Sequence, residues 1–358
     1  MLGGQLHPFV FDIARLRVVF GRGTRARTVQ EVESLGAKQV LVVASPSHAR
    51  TAAAVADQLG TRCAGIYDKM AQHVPVEKAA AATSHARALG ADVCVAIGGG
   101  SAIGLAKAIA LETGIPVIAI PTTYSGSEMT SIWGLTANGV KRTGKDPRVQ
   151  ARAVIYDSEL FTSLPPEVAG PSGMNAMAHA VEGLYAENAN PIMSSLAQEG
   201  IAALARALPI VYRDSRDLDA QDQVLYGSCL SGILLNSVGM SLHHKLCHAL
   251  GGAFNTPHAE THAIVLPYAA AFNLEAAPDA KARMTAVLGT SNVGGALHAL
   301  GGSVGAPRSL KDLGLKPPDL DRVAELATRT PYPNPRPVTR EAVRELLEQA
   351  YQGKAPNS

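Results

Sequence analysis

Up to about residue 160 the chain alternates short runs of Val, Ile and Ala with longer Ala-rich segments whose apolar residues recur at helical spacing. The short runs predict strands at Arg17–Phe20, Gln39–Ala44, Cys63–Tyr67, Val93–Ile97, Val117–Ile120 and Val154–Tyr156, with helices such as Thr51–Leu59 and Val76–Leu89 between them. Near-continuous apolar strands separated by helices point to a mostly parallel sheet covered on both faces. Ser131–Thr143 differs, because polar and apolar positions alternate on either side of Asn138-Gly139, a hairpin pattern.

The period changes after Asp157. Pro165-Pro166 interrupts the chain, and the remainder reads as helices separated by Gly and Pro. Ala/Leu/Ile periodicity marks Ser194–Tyr212, Leu225–Leu235 and a shorter run at Ala296–Leu300. A last helix starts at Thr339, a good N-cap, and sets Ala342, Val343, Leu346, Leu347 and Ala350 on one stripe. The expected architecture is therefore an α/β N-terminal dinucleotide-binding domain, residues 1–160, followed by an all-α C-terminal domain, residues 161–358. Thr330–Pro337 is a Pro-rich loop.

Composition narrows the function. Apolar residues make up 47% of the 358 and charged residues 17%, enough for two cores. A net charge of +2, with scattered Arg and Lys and only 4% aromatics, gives no electrostatic footprint or stacking surface for nucleic acid, and no case for a membrane surface. No apolar run reaches the roughly 20 residues that span a bilayer, and the N-terminus lacks a secretory pattern. Cys63, Cys94, Cys229 and Cys247 are widely spaced, which reads as reduced thiols of a cytoplasmic protein.

Two regions carry chemistry. Ile97-Gly98-Gly99-Gly100-Ser101 follows a strand and opens the helix Ala102–Leu111, so close backbone approach and free N–H groups suit a pyrophosphate. The next strand ends in a second hydroxyl-rich loop, Thr122-Thr123-Tyr124-Ser125-Gly126-Ser127, at the same sheet edge. Downstream, Ser241–Pro267 holds His243, His244, His248, His258 and His262, five of the 11 histidines. Asn175 and His179 share a helix face four apart, as do His244 and His248 on a helix that Gly251-Gly252 is expected to end, with His258 in the loop beyond. His179, His244 and His258 are placed to converge on a divalent ion, and His248 to move protons beside a substrate. His243 and His244 lie about 100° apart around the helix, which predicts that they do not aim at one atom.

The motifs GGGS, PTT-x-S-x-S-E, N-A-M-A-H-A-x-E and H-K-L-C-H-x-L-G-G-x-F-N-T-P-H, in this order over nearly the whole chain, resemble the iron-containing (group III) alcohol dehydrogenase family, and within it the maleylacetate reductase branch. The resemblance implies the dehydroquinate synthase-like, iron-containing alcohol dehydrogenase architecture, with an active site in the cleft between the domains. It implies that Gly98, Gly99, Gly100 and Ser101 hold the diphosphate of NADH or NADPH, that Thr122, Thr123 and Ser127 line its inner half, and that Lys145 and Val154 lie on the ribose side. His179, His244 and His258 fall on the family's metal ligands and His248 on its active-site histidine. The fourth ligand, an Asp in the family, is here Asn175, a weaker neutral donor, so the metal site reads as vestigial and no metal is expected. Ser45 replaces the carboxylate that ends the second strand, which removes the repulsion against a 2′-phosphate.

The implied reaction reduces the C=C bond of maleylacetate, a dicarboxylate, to 3-oxoadipate in aromatic degradation. His243, His244 and His248 would serve the chemistry, His179, His258 and Asn175 would shape the pocket, and His243, Lys245 or a charged His would meet the substrate carboxylates. A homodimer joined through the N-terminal strand region is the family tendency. The alternative within enzymes is a metal-dependent alcohol or polyol dehydrogenase. A nucleotide-binding module without catalysis would have no need of clustered histidines.

Overall fold

A computed structural model describes residues 9, 11, 16–71, 74–137 and 140–356. The chain forms two compact units, one of Arg15–Ala169 with Arg213–Leu225 and one of Gly170–Tyr212 with Tyr226–Ser358.

The first unit is built on a six-stranded parallel sheet of β1 (Val18–Phe20), β2 (Val40–Ala44), β3 (Cys63–Tyr67), β4 (Val93–Gly98), β5 (Val117–Pro121) and β8 (Ala153–Tyr156), in the order β1-β8-β5-β4-β2-β3. Its helices are α1 (Thr28–Ser34), α2 (Ala49–Leu59), α3 (Val76–Ala88) and α4 (Gly100–Thr113). Side chains alternate across a strand, so β4 sends Val93, Val95 and Ile97 to one core and Cys94 and Ala96 to another. The first core packs on Val32 of α1 and Ala52, Val55 and Leu59 of α2, and the second on α3 and α4. Because both faces are covered, the central strands are apolar at every position, and each fully buried Val or Ile stabilises by about 1.5–3 kcal/mol. β6 (Ile132–Ala137) and β7 (Val140–Lys145) pair antiparallel, as the alternation there predicts. The Asn138-Gly139 turn itself lies outside the described residues.

One polar side chain sits deep in this unit. Lys107 of α4 is 1% exposed, and its Nζ donates to the carbonyls of Ser127, Thr130 and Ile132 and to Thr130 Oγ1 at 2.6–2.9 Å. Burial pushes its pKa down to about 7 while nearby Glu128 raises it. This ammonium ties the helix that begins at the glycine loop to the segment that follows the hydroxyl-rich loop.

The remaining helices are α5 (Pro166–Leu184), α6 (Pro191–Arg213), α7 (Leu218–Ser237), α8 (Leu242–Phe254), α9 (His258–Leu274), α10 (Pro278–Leu288), α11 (Val293–Ser303), α12 (Pro317–Thr328) and α13 (Arg340–Gln352). In the helical unit, Leu242, Leu246 and Leu250 of α8 pack with Ile264, Val265 and Tyr268 of α9 and with the apolar stripes of α12 and α13. Thr339 caps α13 by accepting from Ala342 N, and Val343, Leu346, Leu347 and Ala350 are buried.

Two local expectations fail. α8 runs through Gly251 and Gly252 and stops at Asn255, a non-glycine residue in the left-handed region at φ 52°. His258 is not in a loop but opens α9, after Pro257 at the N-cap. All four cysteines are free thiols, three of them buried, and burial pushes the Cys94 thiol up to about 12. Among the described residues no single helix is long and apolar enough to cross a membrane.

Candidate active site

In the α/β unit, β2 continues to β3 on one side of the sheet and β4 to β5 on the other. The strand order therefore reverses between β2 and β4, where such sheets bind ligands at their carboxyl ends. Gly98 ends β4 with φ 145°, a conformation side chains avoid, and a Cβ there would come within 2.9 Å of Ala102 Cβ. A Cβ on Gly99 would lie 2.9 Å from Thr123 Cγ2, so the second loop packs directly on the glycine backbone. Thr122 N donates to the Gly98 carbonyl at 3.2 Å. Gly100 faces open space, and Gly99 gives α4 no side-chain cap, which leaves the helix's first N–H groups available to an anion. The Thr122 hydroxyl is buried without a hydrogen-bond partner.

Ser45 follows β2 at the same edge. Its Oγ contacts Ser47 Oγ and His48 Nδ1, both at 2.7 Å, and lies 4.0 Å from the position of a Gly98 Cβ. Ser101 is the second residue of α4, and the Ser127 carbonyl is held by Lys107. This edge thus gathers Ser45, Gly98, Gly99, Gly100, Ser101, Thr122 and Thr123. Lys145 ends the β6–β7 hairpin, and Val154 is fully buried within β8, opposite Val18 and Ala119.

In the helical unit, Asn175, His179 and Glu182 fall at i, i+4 and i+7 on one face of α5, each 2% exposed or less. α8 supplies buried His243 and His244 and exposed His248, and α9 supplies exposed His258 and buried His262. The rings form one cluster. His244 lies 4.9 Å from His179, 5.2 Å from His243, 5.0 Å from His262 and 6.1 Å from His248 between ring centroids, and His258 lies 4.2 Å from His262 with the rings tilted by 48°.

Proton positions follow from the partners. A carboxylate only accepts, so His244 Nδ1–H donates to Glu182 Oε2 at 2.6 Å. That leaves the His244 Nε2 lone pair 2.9 Å from His179 Nδ1. His243 Nε2–H donates to the His262 carbonyl at 3.0 Å, leaving its Nδ1 free to face His244 Nδ1 at 3.4 Å. The two rings are thus neighbours, but their lone pairs face different atoms, that of His243 toward His244 Nδ1 and that of His244 toward His179 Nδ1. His243, His244 and His262 offer nitrogens within 4.8 Å of one another. Both ring nitrogens of His262 and Oδ1 of Asn175 are buried with no hydrogen-bond partner.

Burial pushes the His243 pKa down to about 4 and those of His244 and His262 well below the ordinary range, with neighbouring imidazoles adding to the effect. These rings are neutral at neutral pH and present lone pairs, not charges. His243 is fully buried with its Nε2–H given to the His262 carbonyl, and Lys245 lies 5.2 Å over the Tyr332 ring.

His262 and Glu182 went unassigned from the sequence. Their signals were present, His262 four residues after His258 and Glu182 three after His179, but each needed a known helix to be read.

Comparison with known proteins agrees in both units. The description "Iron-containing alcohol dehydrogenase" matches residues 16–158, and "Fe-containing alcohol dehydrogenase family, C-terminal" matches residues 170–351. Maleylacetate reductase of Pseudomonas sp. (strain P51) is 49% identical over 348 residues, covering 97% of this chain and 99% of its own. The crystal structure of maleylacetate reductase from Agrobacterium tumefaciens aligns with TM-score 0.95 at 47% identity, covering 98% of this chain and 100% of its own. That of the Rhizobium sp. strain MTP-10005 enzyme gives TM-score 0.95, 48% identity and the same coverage.

The expectation that no metal is needed is corrected by these matches, since both halves fall in a family described by its iron. The donors agree. An unpartnered amide oxygen and several neutral imidazoles form a nitrogen-rich set suited to a divalent first-row ion. With matched halves and relatives close to half identical over nearly the full length, the chain belongs to the iron-containing alcohol dehydrogenase family.

Proposed function

We propose that this chain is a maleylacetate reductase, which converts maleylacetate to 3-oxoadipate with NADH or NADPH during the breakdown of aromatic compounds. The observation that carries the reading is identity of 46–49% to maleylacetate reductases over 97–99% of the chain. In this reading residues 1–160 take the nucleotide and residues 161–358 the substrate. The protein acts in the cytoplasm as a homodimer. Edge strand β1, with Val18 and Phe20 37% and 41% exposed, supports pairing through that region.

The glycine loop and the N-terminus of α4 bind the nucleotide diphosphate, with the unpartnered Thr122 hydroxyl beside them. The nucleotide, when bound, supplies the hydride. Addition at the olefinic carbon β to the ketone leaves an enolate, whose oxygen needs stabilising and whose carbon needs a proton. Asn175, His179, His243, His244 and His262 are the donors that would hold a divalent ion, which when bound supplies Lewis acidity. His248 is exposed one turn beyond His244, so it exchanges protons with water and returns one to the carbon next to the ketone. His258 stands beside His262 in the same exposed position.

Oxidation of NADH and of NADPH in the presence of maleylacetate tests the reading, and both are expected to proceed. Ser45→Asp puts a carboxylate at the end of β2. It is expected to lower kcat/KM for NADPH at least about tenfold while sparing NADH, a difference of about 1.4 kcal/mol. No oxidation of either nucleotide would reject the reading, and an unchanged preference in the variant would remove Ser45 from the nucleotide site.

A further inference from the structure

Glu182 is the one acidic side chain in contact with the histidine cluster among the described hydrogen bonds, and it is fully buried. Its Oε1 accepts from His243 N at 2.9 Å, and its Oε2 from Ser241 N at 3.0 Å and His244 Nδ1 at 2.6 Å. Burial raises its pKa, opposed by His243 and by these N–H donors. The two backbone donors belong to the first residues of α8, whose N-cap Ser241 makes no side-chain cap of its own. Glu182 thus takes the capping role from another helix, seven residues beyond Asn175 on α5.

We propose that Glu182 is the positioning residue of the site: one carboxylate anchors the start of α8 and holds His244 as its Nδ1–H tautomer, so that Nε2 turns its lone pair toward His179. The proposal rests on the reading that these imidazoles bind a cation, and it explains why the lone pair of His244 is on Nε2, on the His179 side of the ring. A ring protonated at Nε2 would have no lone pair to offer there. The arrangement is the carboxylate–histidine pairing that orients ligands from outside the coordination sphere. The same carboxylate sets where α8 begins, which places His243, His244 and His248 at once.

The test uses the full-length protein labelled with 15N-histidine. Long-range 15N–1H correlation spectra of the parent are expected to show His244 protonated at Nδ1, and protonation at Nε2 would overturn the proposal whatever the variants do. Cobalt(II) titration followed by absorbance then compares the parent with Glu182→Gln and Glu182→Asp. The Gln variant turns an amide N–H toward donors or loses the His244 bond, and its cobalt affinity is expected to fall about 10–100-fold. The Asp variant, which keeps the charge on a shorter arm, is expected to recover part of it. A folded Gln variant with parental affinity and parental His244 tautomer would overturn the assignment. Neither readout uses turnover, so a failure to reduce maleylacetate leaves this test standing.

Discussion

Replacing His244 by alanine is expected to lower kcat/KM for maleylacetate by about 10³, equivalent to about 4 kcal/mol of transition-state stabilisation. The ring is at the centre of the cluster. It touches His179, His243, His248 and His262 and is fixed by Glu182. Its loss removes a nitrogen donor and opens a void that water enters beside a carboxylate fully buried in the fold. The effect falls on kcat more than on nucleotide KM, because the glycine loop belongs to the other unit. Steady-state kinetics with NADH, at constant far-UV circular dichroism, check this. Activity within tenfold of the parent would show that the cluster is not where the chemistry happens.

Gly170→Ala is expected to be the most damaging single methyl group in the helical unit. A Cβ at this position, near the start of α5, would lie 1.9 Å from the Val304 carbonyl oxygen and 3.0 Å from its carbon. The obstacle is backbone, so it does not rotate away, and α5 must retreat. Asn175, His179 and Glu182 retreat with it. The expected cost is about 3 kcal/mol or more, seen as a fall in Tm of about 10 °C together with loss of activity. Gly302→Ala is the control. There the Cβ would meet Arg308 Nη1, the far end of a flexible side chain, and the substitution is expected to cost under about 1 kcal/mol. Equal effects from the two would contradict the view that close backbone packing positions α5.

The α/β half was readable because its physics is local. Strands covered on both faces must be apolar throughout, so Val40–Ala44, Val93–Gly98 and Val117–Pro121 stand out against the helices between them. The glycine loop was readable for a similar reason. Close approach of Gly98 and Gly99 to Ala102 and Thr123 leaves no room for a Cβ.

The histidine region was harder. α9 is buried from Thr261 to Ala270, so it has no polar stripe to reveal a helical period, and Pro257 and Pro267 read as breaks. With that helix hidden, His262 had no face to share with His258. Gly251 and Gly252 read as a terminus, yet the helix passes through them to Asn255, where the left-handed turn occurs. Two further features depend on contacts distant in sequence. Glu182 meets residues 59–62 positions away, and the orientation of His243 involves a hydrogen bond to the His262 carbonyl, 19 positions on. The candidate donors were hardest to read, since an Asn in place of Asp reads as a lost ligand until its oxygen is found buried and unpartnered, one helical turn before His179.

The central claim is that hydride goes to carbon, at the olefin, and not to the carbonyl. Turnover of maleylacetate with NADH carrying deuterium at the transferable position tests it directly, with the product analysed by mass spectrometry and NMR. The account predicts 3-oxoadipate with one deuterium on the methylene next to its distal carboxylate, the former olefinic carbon β to the ketone. Deuterium on a carbinol carbon, in a hydroxy acid that still holds its double bond, would contradict it.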